Sequence, residues 1–524
     1  MIAKPYQPKP FDINLTGFKL PPDFIFGVCN SPYHSEGGFN TPTGPHNNWS
    51  EWEQKGFIEK SGETNRFWVD WQPHIQKAAE IGLDVFRMGF AWERVQPSSS
   101  TKEAPEPEWD ESAFDRYAEI VGAVYEAGME PCITLHHFTH PAWIGPWLWK
   151  QDEKVEKFLD YIRRAVTEIN QRLVSNGHPA IRQYVVFNEP YNTLAGPYLF
   201  GDAPPGTVKN DVAGFGEATM NLIYAYIKTY DIIYDIYEAN GWRQPHVAYN
   251  IVSYCLYEQD KWYVDLLRAP ERGIERDAVI DYLDERRDRY YAFMRPVGQD
   301  RLNDRQMAYW DKMAAQYEQM YLGFSYEKVI DALYESPRCK KLDYLAVDCY
   351  DPFIFVTLGV EGEDQPPEEK PIGGDRFDWT KLTFNPDVTR EHLRMHSQDL
   401  GDIPLYILET TIGHNHEKFG VPEPRPDGIT VEVFLKAILA EVVRLIQEGV
   451  PLMGFLYWTL CDNYEWGTYT SRLGLAEYDY ERHVIKNTDA FGAPNLKIYK
   501  TLIAAMRSGD ADQIRAAFQP VEEK

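Results

Sequence analysis

YVVFNEP at Tyr184–Pro190 and PLYILET at Pro404–Thr410 each run a short β-branched and aromatic stretch into a glutamate, Glu189 and Glu409. Stretches of this kind read as buried strands. A single glutamate at a strand end is more often an exposed or ion-paired carboxylate. Two of them, delivered by the ends of two strands, are what glycoside hydrolysis through a covalent intermediate requires. One must protonate the leaving oxygen, and the other must attack the anomeric carbon.

Six further runs have the same character. They are FIFGV (Phe24–Val28), VFRMGF (Val85–Phe90), PCITLHHF (Pro131–Phe138), HVAYNIV (His246–Val252), LDYLAVDCY (Leu342–Tyr350) and GFLYWTL (Gly454–Leu460). Amphipathic stretches such as HIQKAAEIG, FDRYAEIVGAVYEAG and VFLKAILAEVVRLIQEG separate them, with apolar residues three and four apart. Strands alternating with helices predict an α/β fold with a parallel sheet. Eight such units predict a (β/α)8 TIM barrel, and 524 residues require long loop insertions in it. We read residues 1–524 as a single catalytic barrel domain. Its largest insertion, about 255–323, is helical and falls between the fifth and sixth strands; it is either a lid over the barrel mouth or a packing surface. The polar stretch GVEGEDQPPEEKPIGGDRFD reads as a loop, and the tail GDADQIRAAFQPVEEK as a short helix that frays.

The strand ends are dense in polar and aromatic side chains: Arg87, His136, His137, Asn188, Asp348, Tyr350 and Trp458 beside the two glutamates. In a barrel these ends converge on one mouth, where catalysis sits. A purely structural core does not predict that clustering. Aromatic residues make up 14% of the chain, which suits either rings stacked on sugar faces or a large aromatic core.

The net charge of −27 tells against nucleic acid and against electrostatic docking on an anionic membrane, and favours a neutral small-molecule partner. The N-terminus has no apolar leader, and no run is long enough to span a bilayer, so no stable membrane insertion is expected. The 6 cysteines lack metal-ligand spacing, and four lie in or beside apolar runs; a reducing, cytoplasmic setting follows as an expectation. No cofactor and no metal are expected. His392 and His396 are four apart but lack the glutamate of a His-Glu-x-x-His motif, and read as helix-surface residues. The oligomeric state is not legible.

Six motifs in order resemble glycoside hydrolase family 1: FIFGVCNSPYHSEGG, VFRMGFAWERVQP, TLHHFTHP, FNEP, YILE and YWTLCDNYEWGTYTSRLGLAEYDY. The resemblance implies a retaining β-glycosidase. It implies Glu189 as acid/base and Glu409 as nucleophile. Asn188 would hold the sugar 2-hydroxyl, and Arg87 and Tyr350 would contact Glu409. His137 would bind glycone hydroxyls, Trp458 would floor the glycone site, and Glu465 and Trp466 would bind at its far rim.

The chain departs from the family pattern at several of these places. Thr410-Thr411 follow the nucleophile where the family has Asn-Gly. His34 replaces a glycone-binding Gln, Phe138 replaces a Trp, and Asp348-Cys349-Tyr350 replaces Asn-Tyr-Tyr. His34 and Phe138 remain candidate substrate-binding residues, and the changes point to a narrowed or shifted sugar specificity. VFRMG, RFW at Arg66–Trp68, His34 and PAW at Pro141–Trp143 are similar to the galactolipid galactosyltransferase branch. That similarity keeps open a transglycosylase acting on a sugar, lipid or other alcohol acceptor. Asp348 and the two threonines leave a third alternative, a non-catalytic glycoside-binding barrel.

Overall fold

All eight runs are strands in the computed structural model, which describes residues 6, 11–206, 208–363, 379–415 and 423–519. They are β1 (Ile25–Cys29), β2 (Val85–Gly89), β3 (Glu130–His136), β4 (Gln183–Phe187), β5 (His246–Val252), β6 (Tyr344–Asp348), β7 (Leu405–Glu409) and β8 (Leu452–Trp458). Each pairs in parallel with the next, and β8 pairs back onto β1, with Cys29 opposite Trp458, so the sheet closes into a barrel. Almost every strand residue is buried, as expected of a parallel sheet covered by helices outside and by packed side chains within. The closing seam needs Gly454: a Cβ there would lie 2.5 Å from Ile25 Cγ1 and 2.7 Å from the Ile25 carbonyl oxygen.

Returning helices include Glu111–Glu126, Asp152–Ser175, Val212–Asn240 and Val431–Gln447. Three of these starts are set by side-chain caps. Asp110 accepts from the Ser112 amide, Asp211 from Gly214 and Thr430 from Val433. Each then buries its apolar stripe, such as Phe434, Leu435, Ile438, Leu439, Val442 and Val443 on the last of them.

Between β5 and β6 the chain forms Tyr257–Asp260, Trp262–Leu267, Val279–Arg301 and Asp304–Leu322, all helical. Trp310 donates to the Cys255 carbonyl at 2.8 Å, and Tyr290 donates to Asp260 at 2.6 Å. Arg286 pairs with Asp265 and Asp399. This segment packs on the flank of the barrel. None of residues 256–323 lines the cavity at its mouth.

His392 and His396 correct the surface reading. Both are fully buried on helix Pro386–Ser397, and His392 Nε2 lies 2.7 Å from Asp260 Oδ2. The helix is covered by Val279–Arg301, which the sequence spacing alone could not place over it. Most of the GVEGEDQPPEEKPIGGDRFD stretch lies outside the described residues, and its first residues extend a helix, Ile354–Glu363. The tail helix, Ala511–Phe518, is anchored by buried Ile514 and Phe518. Five cysteines are buried and Cys339 is exposed, all as thiols. Among the described residues no helix is long and apolar enough to cross a membrane.

Candidate active site

The C-terminal strand ends open into a cavity of about 330 Å³. Every candidate catalytic and substrate-binding residue read from the sequence lines it except Arg87, which stands behind Glu409; of the other strand-end residues, His136 and Asp348 do not line it. Glu409 ends β7 and Glu189 stands two residues after β4, so the two carboxylates reach the mouth from opposite sides of the barrel.

Both oxygens of Glu409 are held. Arg87 Nη1 donates to Oε1, and the Tyr350 hydroxyl donates to Oε2 at 2.8 Å. Arg87 also donates from Nη2 to Asn188 Oδ1 at 2.6 Å and from Nε to Thr134 Oγ1 at 3.0 Å. Burial is the largest influence and opposes the charge of Arg87, but its acidic neighbours together, Glu409 foremost and Asp348 among them, outweigh it and raise its pKa. The nucleophile position therefore sits against a fixed, fully buried cation.

Glu189 has a different environment. Burial first, and the charge of Glu409 second, push its pKa up to about 8, while a hydrogen bond from Asn192 at 2.7 Å works the other way. Its amide donates to Asn250 Oδ1 at 2.8 Å. Two carboxyls side by side with opposed surroundings is the arrangement that divides acid from nucleophile.

Asp348 is the third member. Glu189, Asp348 and Glu409 each offer an oxygen, and these lie within 4.8 Å of one another. That spacing resembles a cation site, but the Arg87 guanidinium already supplies the positive charge. The three are read as a proton site and not as metal ligands.

Aromatic rings form one end of the cavity. His137 stacks on Trp458, with centroids 5.8 Å apart, and on Trp466 at 6.3 Å. Phe138 meets Trp466 edge-on at 4.7 Å, and His34 meets it at 4.3 Å. Burial lowers the His34 pKa to about 3 and, with Arg87, holds that of His137 well below its usual value, so both rings are neutral. Burial, then Glu409, raises Glu465 well above the carboxylate range. His34 Nε2 and Glu465 Oε2 are buried without a hydrogen-bond partner and lie in the same wall, with His34 Nε2 4.0 Å from Glu465 Oε1. Neutral imidazole and carboxyl groups both donate and accept, as a polyol requires.

Phe138, Glu189 and Trp466 have φ of 64°, 38° and 44°, in the left-handed region that non-glycine residues avoid. Such conformations persist at sites where surrounding structure fixes them. Thr410 and Thr411 do not share it, so this backbone has no need of the family's glycine. Thr410 Oγ1 donates to the Cys349 carbonyl at 2.6 Å, and Thr411 Oγ1 donates to the Tyr457 hydroxyl at 3.0 Å, tying β7 to β6 and β8.

The sequence reading missed Thr134, Asn192, Tyr254, Phe355 and Trp379. Asn192 carried a signal, standing three residues after Glu189 at the start of helix Pro190–Ala195. Tyr254 reaches the cavity from a loop, Phe355 from the first turn of the helix Ile354–Glu363 and Trp379 from a single 3-10 turn, none of which the strand pattern marks.

The sequence profile of glycosyl hydrolase family 1 matches residues 17–503. The beta-glucosidase-like SFR2 of Oryza sativa subsp. japonica is 24% identical over 422 residues, 80% of this chain and 53% of that protein, so the chain spans about half that relative's length. The galactolipid galactosyltransferase SFR2 of Arabidopsis thaliana is 23% identical over 445 residues, 83% of this chain and 57% of that one. The furostanol glycoside 26-O-beta-glucosidase of Hellenia speciosa is 24% identical over 492 residues, covering 90% and 82% of the two chains. A family 1 β-glucosidase from Thermotoga maritima superposes with a TM-score of 0.61 at 17% identity, covering 93% and 98%. The profile match runs from before the first barrel strand into the helix after the last, with both strand-end glutamates inside it, and the chain accordingly belongs to glycosyl hydrolase family 1, as a glycoside hydrolase.

Proposed function

We propose that this protein cleaves β-linked glycosides with retention, by double displacement through a glycosyl-enzyme on Glu409. The observation that carries the reading is the carboxylate pair. Glu189 and Glu409 bring oxygens within 4.8 Å of each other, which suits the roughly 5–5.5 Å carboxyl separation of retaining enzymes better than the wider spacing that admits a water between them.

Glu409, set by Arg87 and Tyr350, attacks the anomeric carbon. Glu189, protonated at neutral pH, gives its proton to the leaving oxygen. Glycosylation removes the charge of Glu409, which was one cause of the raised Glu189 pKa. Glu189 then releases its proton more readily and serves as base toward water. Asn188, His137, Trp458, Glu465, Trp466 and His34 hold the glycone. Among the described residues no Lys or Arg lines the cavity, which favours a neutral sugar over an anionic one.

A second reading is transfer of the glycosyl group to an acceptor alcohol. The cavity beyond the carboxylates is lined by Trp149, Pro197, Phe200, Tyr254, Ile354 and Phe355, an apolar surface that suits a hydrophobic aglycone or acceptor. A relative named as a galactolipid galactosyltransferase supports the same reading.

The test is a panel of aryl β-glucoside, galactoside, fucoside, mannoside and xyloside, with Glu409→Gln as control. Turnover lost in the variant supports the reading. Glycoside binding without turnover favours a binding barrel. The product ratio with and without added alcohol separates hydrolysis from transfer.

A further inference from the structure

We propose that Asp348 is a neutral carboxylic acid that hydrogen-bonds with Glu189, so that the acid/base is a carboxyl pair and not a single residue. The inference rests on the assignment of Glu189 above and deepens it.

The geometry comes from the end of β6. The register shifts between Val347 and Asp348, and Asp348 stands level with Glu409 on one side and Val252 on the other. Irregularities of this kind re-aim a side chain. Asp348 has no solvent exposure, and one of its oxygens lies within 4.8 Å of an oxygen of Glu189.

Asn250 couples the two acids. Its Nδ2 donates to Asp348 Oδ1 at 3.0 Å, and its Oδ1 accepts from the Glu189 amide at 2.8 Å. Asp348 Oδ2 is buried and has no donor. With both groups ionised neither can donate to the other. One proton on either supplies the missing hydrogen bond.

Charge leads to the same place. The groups facing Asp348 are Arg87 from β2, Glu189 after β4, Glu409 from β7, Cys29 from β1, and Tyr254 and Tyr350 from the loops, with Cys349 next in sequence. Arg87 is the one cation among them, and its nitrogens are committed to Glu409, Asn188 and Thr134. Burial, then Glu409, then Glu189 raise the Asp348 pKa well above the carboxylate range, and a hydrogen bond from Asp348 is among the influences that lower that of Glu189. The Asn that the family carries at this position can donate a hydrogen bond but has no proton to share.

The proton balance closes over one cycle. At rest at neutral pH both carboxyls of the pair carry a proton; as the glycosidic C–O bond breaks and the Glu409–carbon bond forms, the Glu189 proton goes to the leaving oxygen and Asp348 keeps its own. The Asp348 hydroxyl then donates to the new Glu189 carboxylate. As water adds to the anomeric carbon, its proton enters the pair and Glu409 leaves as a carboxylate. Asp348 touches no substrate atom and is a positioning residue for the acid.

The test is the infrared difference between the full-length wild type and Asp348→Asn at neutral pH, with no substrate present. The proposal expects the variant to lose a protonated-carboxyl C=O band; loss of a carboxylate band instead would overturn it. Asp348→Ser supplies the same difference if Asp348→Asn does not fold. The pH profile of kcat/KM gives an independent readout. With Asp348 the pair keeps its last proton to higher pH, because losing it places two like charges together, so Asp348→Asn moves the alkaline limb down by about one pH unit or more. An unmoved or raised limb would overturn the pair, as would a wild-type requirement for magnesium or calcium that Asp348→Asn abolishes. A wild type without glycosidase turnover would tell against the function above, while the infrared band still reads the proton.

Discussion

The Tyr350 hydroxyl donates to Glu409 Oε2 at 2.8 Å while Arg87 holds Oε1, so the nucleophile is fixed through both oxygens before any substrate arrives. Tyr350→Phe removes one hydrogen bond to a charged group, worth about 1.5–3 kcal/mol. We expect kcat/KM on an aryl β-glycoside to fall roughly 10- to 100-fold, with folding unchanged by circular dichroism. A loss under threefold would mean that Arg87 alone positions the carboxylate.

Glu189→Ala separates the acid from the base. Substrates with poor leaving groups need the proton and lose most of their turnover, by about 100-fold or more. Activated aryl glycosides leave without it and lose far less in the first step. Equal losses across a leaving-group series would remove Glu189 from the acid role.

The raised pKa of Glu189 also predicts how stability varies with pH. The folded carboxyl keeps its proton to about 8, against an ordinary value of 4.5 in the unfolded chain. Between those values the folded state binds more protons, so this group's contribution is fully present below the lower one and is lost as pH rises through the upper one. Glu189→Gln cannot titrate. The melting temperature of the wild type relative to Glu189→Gln should therefore fall as pH is raised across that window. A rising difference would show that the carboxyl is ionised in the fold.

Thr411→Val tests the departure after the nucleophile. It keeps the side-chain shape but removes the hydroxyl that hydrogen-bonds with the Tyr457 hydroxyl and the Leu473 carbonyl, both in buried surroundings. We expect a loss of about 1–3 kcal/mol in stability, read by urea unfolding. No loss would mean that the threonines only fill space.

Much of this was legible in the sequence, for identifiable reasons. The barrel strands are apolar on both faces, so they stand out as runs, and six ordered motifs brought out Glu189, Glu409 and several of the other residues that line the cavity. Other features depended on the third dimension. His392 and His396 are ordinary helix residues by spacing and became buried only because a distant insertion packs over them. The same insertion could be read as a lid until its helices were seen against the barrel flank. Asp348 was visible as a substitution, but its buried Oδ2 without a donor was not.

The most direct test of the central claim is to trap the intermediate. A 2-deoxy-2-fluoro β-glycoside with an activated leaving group slows the second displacement, and the enzyme is then digested and its peptides weighed. We predict a single glycosyl adduct on the peptide containing Glu409, absent in Glu409→Gln. An adduct on Glu189 or Asp348, or rapid turnover with no adduct and an inverted product anomer, would contradict the double-displacement account.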